Sequence, residues 1–255
     1  MGGWISWLLL IVAVAPSQYT IHSDSLDVSG DSIIFWNVYL RHGSWSLSSD
    51  KGLYWRSGVI KLCGNFEAQS DSEEITADTA VYYMQDTEKK MILIGNVLYK
   101  NVVDSFHVYG MHGIYYPDRR SGEISCSVKF VNFKDSIILT ADTLKFWHDT
   151  LKIAYRDVYY HNIPDTVELW VRDSLYIWGD SLSLGWGDIH ISYTKLDCFA
   201  QMIEYNVRKE ILTLETDVIL CMERDTVMGE WARIMLKGRE IQEITVKQVC
   251  GKRYE

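Results

Sequence analysis

The sequence predicts an all-β fold: an elongated antiparallel rod built from about eight hairpin repeats of about thirty residues each. Three observations carry this reading. Aromatic residues are abundant (10 Trp, 16 Tyr and 7 Phe) while Pro occurs only 3 times, a bias that favours strands. Apolar residues alternate with polar ones over long stretches, and no stretch of ten or more residues shows a convincing 3.6-residue period. Thirteen of the 20 Asp residues are followed by Ser or Thr, and this bias recurs along the chain at a nearly fixed interval.

The first element is apolar. Gly2 to Ala15 reads GGWISWLLLIVAVA, with no charge, and is too short for a comfortable transmembrane helix of about 20 residues. It matches the apolar region of a secretory signal, with small residues for cleavage at Ala13, Ala15 and Ser17, although no basic residue precedes it. Residues 1–17 are therefore expected to be a signal peptide; a short uncleaved anchor or a buried first strand are the alternatives. Residues 18–255 show no linker and no composition break, and are expected to form one domain in an oxidising compartment. The 5 Cys are scattered and odd in number, which does not describe a disulfide framework.

The repeats follow. Octets such as SSDKGLYW around Asp50, TADTAVYY around Asp78, TADTLKFW around Asp142 and VRDSLYIW around Asp173 share one pattern. With Asp24, His112, Gln201 and Glu230 in the same role, successive anchors are 26, 28, 34, 30, 31, 28 and 29 residues apart. A second mark runs in step, a polar residue followed by an apolar one: Asn37-Val38, Asn65-Phe66, Asn96-Val97, Ser127-Val128, Asp157-Val158, Asp188-Ile189 and Asp217-Val218. Turn chemistry lies between the marks at Ser57-Gly58, Asp86-Thr87-Glu88, Asp118 to Gly122, His148-Asp149, Gly179-Asp180, Asn206 and Gly238. Each unit thus reads as strand, tight turn, strand and second turn.

Within the strands one parity is apolar. Val167, Leu169, Val171, Leu175 and Ile177 form one such row, Leu212, Leu214, Val218, Leu220 and Met222 another, and Ile124, Cys126, Val128 and Phe130 a third. The opposite parity, with Thr166, Glu168, Trp170, Arg172 and Ser174, reads as a solvated face carrying aromatics. A hairpin cannot bury its apolar face alone, so neighbours must stack. Roughly sixteen strands at ~4.8 Å would make a sheet of about 75 Å, which must curl or fold over, with bends near the anchor Asp. The expected object is V-shaped or flattened, lined inside with hydrocarbon. A core packed to normal density binds nothing, whereas an open V would admit a ligand. The alternation is compatible with either.

Charge and motifs exclude several functions. The net charge of −9 repels phosphate backbones, so nucleic acid is not expected as a partner. No nucleophile elbow, His-Glu-x-x-His, Cys-x-x-Cys or phosphate-binding Gly loop occurs, and the 7 His are dispersed. No enzyme activity, metal or cofactor is therefore expected. His148-Asp149 and the Asp188-Ile189-His190 run read as surface groups, and the anchor Asp residues as bend formers. Trp170, Tyr176, Trp178 and Trp186 read as a cross-strand ladder, with a sugar platform as the alternative.

The repeat also resembles a known family. ADTLKFWHDTLKIAYRDVYYHN (Ala141 to Asn162), TADTAVYYMQDTEKKMILIGNVLYKN (Thr76 to Asn101) and GEWARIMLKGREIQEITV (Gly229 to Val246) resemble repeats of the OstA-like, LptA/LptC group of lipopolysaccharide-transport proteins. The resemblance spans Thr20 to Val246. It implies a periplasmic β-jellyroll, or β-taco, that holds lipopolysaccharide acyl chains in its groove and joins end to end with related domains. On that reading the row after the second mark, Val97, Val128, Val158, Ile189 and Val218, faces the groove and contacts acyl chains. The partners implied are lipopolysaccharide or another acylated lipid, and related β-jellyroll export domains or a second copy by edge-strand pairing. An exported structural or adhesive β-solenoid without ligand is the competing class, and a carbohydrate-active solenoid a third.

Overall fold

A computed structural model describes residues 19–247 apart from 56, 85–87, 148–149, 165, 180, 224 and 238–239. The expected signal segment, and the turn positions at residues 86–87, 148–149, 180 and 238, lie outside the described residues. The fold is all-β. Among the described residues the only helical segment is a three-residue 3-10 turn, Val207–Lys209.

The chain forms two compact units, residues 1–124 and 125–255, and the division falls within a strand. The N-terminal unit contains β1 (Tyr19–His22), β2 (Ser25–Ser29), β3 (Ser32–His42), β4 (Trp45–Trp55), β5 (Val59–Gln69), β6 (Glu73–Tyr83), β7 (Lys90–Asn101), β8 (Phe106–Tyr116) and the start of β9 (Ser121–Asn132). From β3 to β8 each strand pairs antiparallel with the next, while β1 and β2 both pair with β3.

The C-terminal unit holds the rest of β9, then β10 (Ile137–Trp147), β11 (Leu151–Tyr155), β12 (Val158–Asn162), β13 (Val167–Val171), β14 (Ser174–Trp178), β15 (Leu182–Tyr193), β16 (Leu196–Asn206), β17 (Ile211–Met222), β18 (Asp225–Lys237) and β19 (Glu240–Lys247). β11 and β12 are two halves of one run, as are β13 and β14. β12 pairs with β13 and β13 with residues 189–193 of β15, whereas β11 pairs with β14 and β14 with residues 182–186. The sheet of this unit therefore has two arms meeting along a crease.

The crease is made by the two sequence marks acting together. In β5, Gly64 and Asn65 both have left-handed backbone, φ +78° and +47°, and the pairing of Cys63 with Thr79 and Phe66 with Ala77 leaves them opposite Asp78 alone. Two residues against one is a β-bulge, which bends its strand. The same two-against-one geometry recurs at Gly95-Asn96 and Thr216-Asp217, whereas Arg156-Asp157 share the left-handed backbone but face two residues, Arg172 and Asp173. The anchor carboxylate of the preceding strand lies over the bend. Asn65 Nδ2 donates to Asp50 Oδ2 at 3.0 Å, Asn96 Nδ2 to both Asp78 oxygens at 3.1 Å, and Asn37 Nδ2 to Asp24 Oδ2 at 2.7 Å. At three of the bends glycine stands beneath it, where a Cβ on Gly64, Gly95 or Gly187 would lie 2.5, 2.2 or 2.3 Å from a carboxylate oxygen of Asp50, Asp78 or Asp173. In β8 the residue facing the bend is Met111 rather than His112, because Ile94 pairs with His112 and Val97 with Gly110.

Alternation then builds the core. β4 buries Leu47 and Ser49 before its anchor and Gly52 and Tyr54 after it, so inward parity switches at Asp50. Cys126 departs from its expected row. It is exposed at φ +67° in the bend of β9, while Ile124, Val128 and Phe130 are buried.

Candidate functional site

The two units differ in what fills the space between their arms. In the N-terminal unit the arm tips are joined by aromatic and hydroxyl groups. Tyr19 and Tyr54 hydroxyls lie 3.2 Å apart, and His42 Nδ1 lies 2.7 Å from the Tyr82 hydroxyl. Tyr115 stands 5.6 Å from both Trp45 and Tyr99, ring centre to ring centre. Burial pushes the Tyr19 phenol up to about 12, helped by the Tyr54 bond, and also raises Tyr82, Tyr99 and Tyr115. Below the tips Tyr99 donates to buried Glu73 at 2.6 Å, and Arg120 Nε approaches the same carboxylate at 3.6 Å. The largest side chains that are fully buried are mostly in this unit: Tyr82, Tyr99, Tyr115, Phe35, Phe66 and Phe106.

The C-terminal unit instead holds a partly open cavity of about 370 Å³. One arm contributes Tyr160, Asn162, Val167, Leu169, Ile191, Tyr193, Leu196 and Cys198; the other contributes Leu175, Ile177, Ser183, Ile203, Tyr205, Glu210, Leu212, Ile234 and Leu236. Aliphatic groups occupy the middle, and Asn162, Ser183, Tyr193, Tyr205 and Glu210 come from the strand tips. Burial, with Asp197 and Cys221 nearby, pushes the Cys198 thiol up to about 12, so it stays neutral. Among the described residues no group of three or more His, Cys, Asp or Glu could hold a metal.

The five expected contact residues are all buried, but none lines this cavity. Val97 lies in the N-terminal unit and is 2% exposed; Val128, Val158, Ile189 and Val218 lie in the C-terminal unit and are 1–2% exposed. Val97, Val128, Val158 and Val218 directly follow a left-handed bend residue, and Ile189 follows Gly187-Asp188, so all point into the crease, where the arms are closest. The crease is filled there: a Cβ on Gly185 would meet Ile203 Cγ2 at 2.7 Å and Val171 Cγ2 at 3.4 Å. The cavity opens farther out along the strands. Its lining residues were visible in the sequence only as the general apolar parity. The seventh residue of the octets is Tyr54, Tyr82 and Tyr115 in the N-terminal unit and Phe146, Ile177, Tyr205 and Ile234 in the C-terminal unit, so no single position of the repeat marks the cavity.

The outer face of the C-terminal unit carries an aromatic row. Trp170 stacks on His190 at 4.7 Å, His190 on Phe199 at 4.5 Å, and Tyr159 leans on Trp170 at 5.3 Å. These ring faces are turned to one another rather than to solvent, as in a cross-strand ladder, whereas a sugar platform needs its faces free. Asp188 pairs with Gln201 at 2.9 Å and with Arg172, interactions that hold its carboxyl below the usual range, while His190 Nε2 pairs with Asp197 at 3.1 Å. The Asp188-Ile189-His190 run is thus divided between two separate pairs. No family model matches the chain, and no curated protein matches it.

Proposed function

We propose that this chain is an exported carrier of acylated lipid, of the kind that bridges lipopolysaccharide to the outer membrane, and that its C-terminal unit holds the acyl chains. The observation that carries the reading is the cavity of about 370 Å³ between two apolar arms. Ligand pockets run from about 300 to 1,000 Å³, and each buried CH₂ is worth ~0.8 kcal/mol. The expected fold is the β-jellyroll of the OstA-like group, with about eight hairpin repeats, in the periplasm after passage of the apolar N-terminal segment. The crease residues Val128, Val158, Ile189 and Val218 form the floor beneath the chain-binding wall. Edge strands supply the partner contact. Among the described residues β19 pairs with β18 and has no buried residue, so its other edge is suited to strand addition by a related domain or a second copy.

The test is mass spectrometry of lipid that co-purifies with the full chain from membranes, on the native protein and on an Ile177→Glu/Leu212→Glu variant. Both positions are half-buried, so the variant can fold, but unpaired carboxylates would face the acyl chains. Acylated lipid on the native protein and its loss from the variant are expected. Equal occupancy in both would remove the cavity from the reading.

The filled interior of the N-terminal unit favours a second reading for that half, a structural β-solenoid segment with no ligand. A protein isolated free of lipid would extend that reading to the whole chain.

A further inference from the structure

Four neighbouring strands of one arm face five of the other across the cavity of the C-terminal unit. The first arm lines it from Tyr160 on β12 to Leu196 on β16, the second from Ile177 on β14 to Leu236 on β18. Each run is paired without a break, β12-β13-β15-β16 on one side and β14-β15-β16-β17-β18 on the other. At ~4.8 Å per strand the cavity therefore extends about 14–19 Å across the strands. A volume of about 370 Å³ spread over that length leaves a mean cross-section of about 20–26 Å². That is the girth of one extended hydrocarbon chain, and two chains side by side need twice as much.

The inner side of the cavity is shut. Val171, Leu175 and Ile203 are 1–3% exposed and fill the crease around Gly185. Side chains packed to this density do not part for a second chain without strain. A methylene has nearly the volume of a water molecule, ~30 Å³ in the liquid, so about twelve carbons fill the space.

The rim has a different chemistry. Asn162 and Tyr193 of one arm, and Ser183, Tyr205 and Glu210 of the other, bring an amide, hydroxyls and a carboxylate to the strand tips. Among the described lining residues there is no Lys, Arg or His. Side chains that recognise phosphate are cationic, and a carboxylate repels it. A hydroxylated head can both donate to and accept from such a rim. We infer that the cavity takes a single acyl chain of about twelve carbons, from an amphiphile whose head presents hydroxyl groups rather than phosphate to the rim. The inference rests on the carrier reading and narrows its cargo.

The experiment is calorimetric titration of the full chain, stripped of lipid on hydrophobic resin, with alkyl maltosides of about 8 to 14 carbons below their micellar concentrations. One ligand per protein is expected, binding about fourfold more tightly for each added CH₂ up to about twelve carbons and levelling beyond. Val167→Phe takes volume from the wall and should move the levelling to shorter chains. Dodecyl phosphate should bind about tenfold or more weakly than dodecyl maltoside, and Glu210→Gln should narrow that gap. Circular dichroism shows whether the variants are folded, and the chain-length series needs native protein alone. Affinity still rising at fourteen carbons, two ligands per protein, or no binding at any length overturns the inference. So does dodecyl phosphate bound as well as the maltoside, or a head preference untouched by Glu210→Gln. Any of these results beside acylated lipid on protein purified from membranes would end this inference and leave the carrier reading. A twelve-carbon limit in a protein that never carries lipid would do the reverse.

Discussion

Replacing Gly95 with Ala tests whether the two periodic marks form one device. Gly95 sits at φ +76°, where an L-residue costs roughly 1–2 kcal/mol. The added Cβ would stand 2.2 Å from Asp78 Oδ2 and 2.9 Å from its Cγ, so the carboxylate must swing away. Both 3.1 Å bonds from Asn96 are then lost; on an exposed surface that is about 0.5–1.5 kcal/mol. The expected destabilisation is about 2–3 kcal/mol in urea unfolding followed by tryptophan fluorescence. Two comparisons isolate the parts. Gly43→Ala, at φ +62° with nothing within 4 Å of its Cβ, should show the backbone cost alone. In an Asp78→Ala background, Gly95→Ala should also fall to about 1–2 kcal/mol, giving a coupling of about 1 kcal/mol. A Gly95 variant no worse than the Gly43 variant, or equally damaging with and without Asp78, would refute the account of the bend.

Three further outcomes are expected. Burial depresses the His42 pKa below about 6.5, with Lys89 adding to the shift and Asp118 opposing it; His107 is lowered for the same first reason. The stability these neutral rings contribute is present above about pH 6.5 and is lost as pH falls below it, so a His42→Gln variant should lose less stability between neutral and mildly acid pH than native protein does. Arg120→Ala removes the cation beside buried Glu73 and should cost about 2–4 kcal/mol in the same unfolding assay; a change near zero would show that the Tyr99 bond alone satisfies the carboxylate. Iodoacetamide at pH 8 should alkylate exposed Cys126 and leave buried Cys198 intact, as read by peptide mass mapping; equal labelling in the folded protein would contradict the burial of Cys198.

Local structure was legible in the amino-acid sequence. Asp at the anchor, Gly-Asn or polar residues at the second mark and strict alternation between them fixed strands, turns and bends, because backbone sterics and side-chain parity act over two to four residues. That is why Val128, Val158, Ile189 and Val218 could be placed inside the sheet from sequence, and why Asn96 could be seen as a recurring mark. What those marks touch depends on pairing between strands distant in the chain. Asp78 and Asn96 are 18 residues apart and become partners through register; the same register puts Met111, not His112, opposite a bend. The crease and the cavity were not separable in the sequence, since both draw on one apolar row. Which of them a residue reaches depends on how far along its arm it stands. Whether the arms close depends on side-chain volume summed from strands far apart in the chain. Tyr82 and Tyr115 are fully buried in one unit, while Ile177, Tyr205 and Ile234 line a cavity in the other.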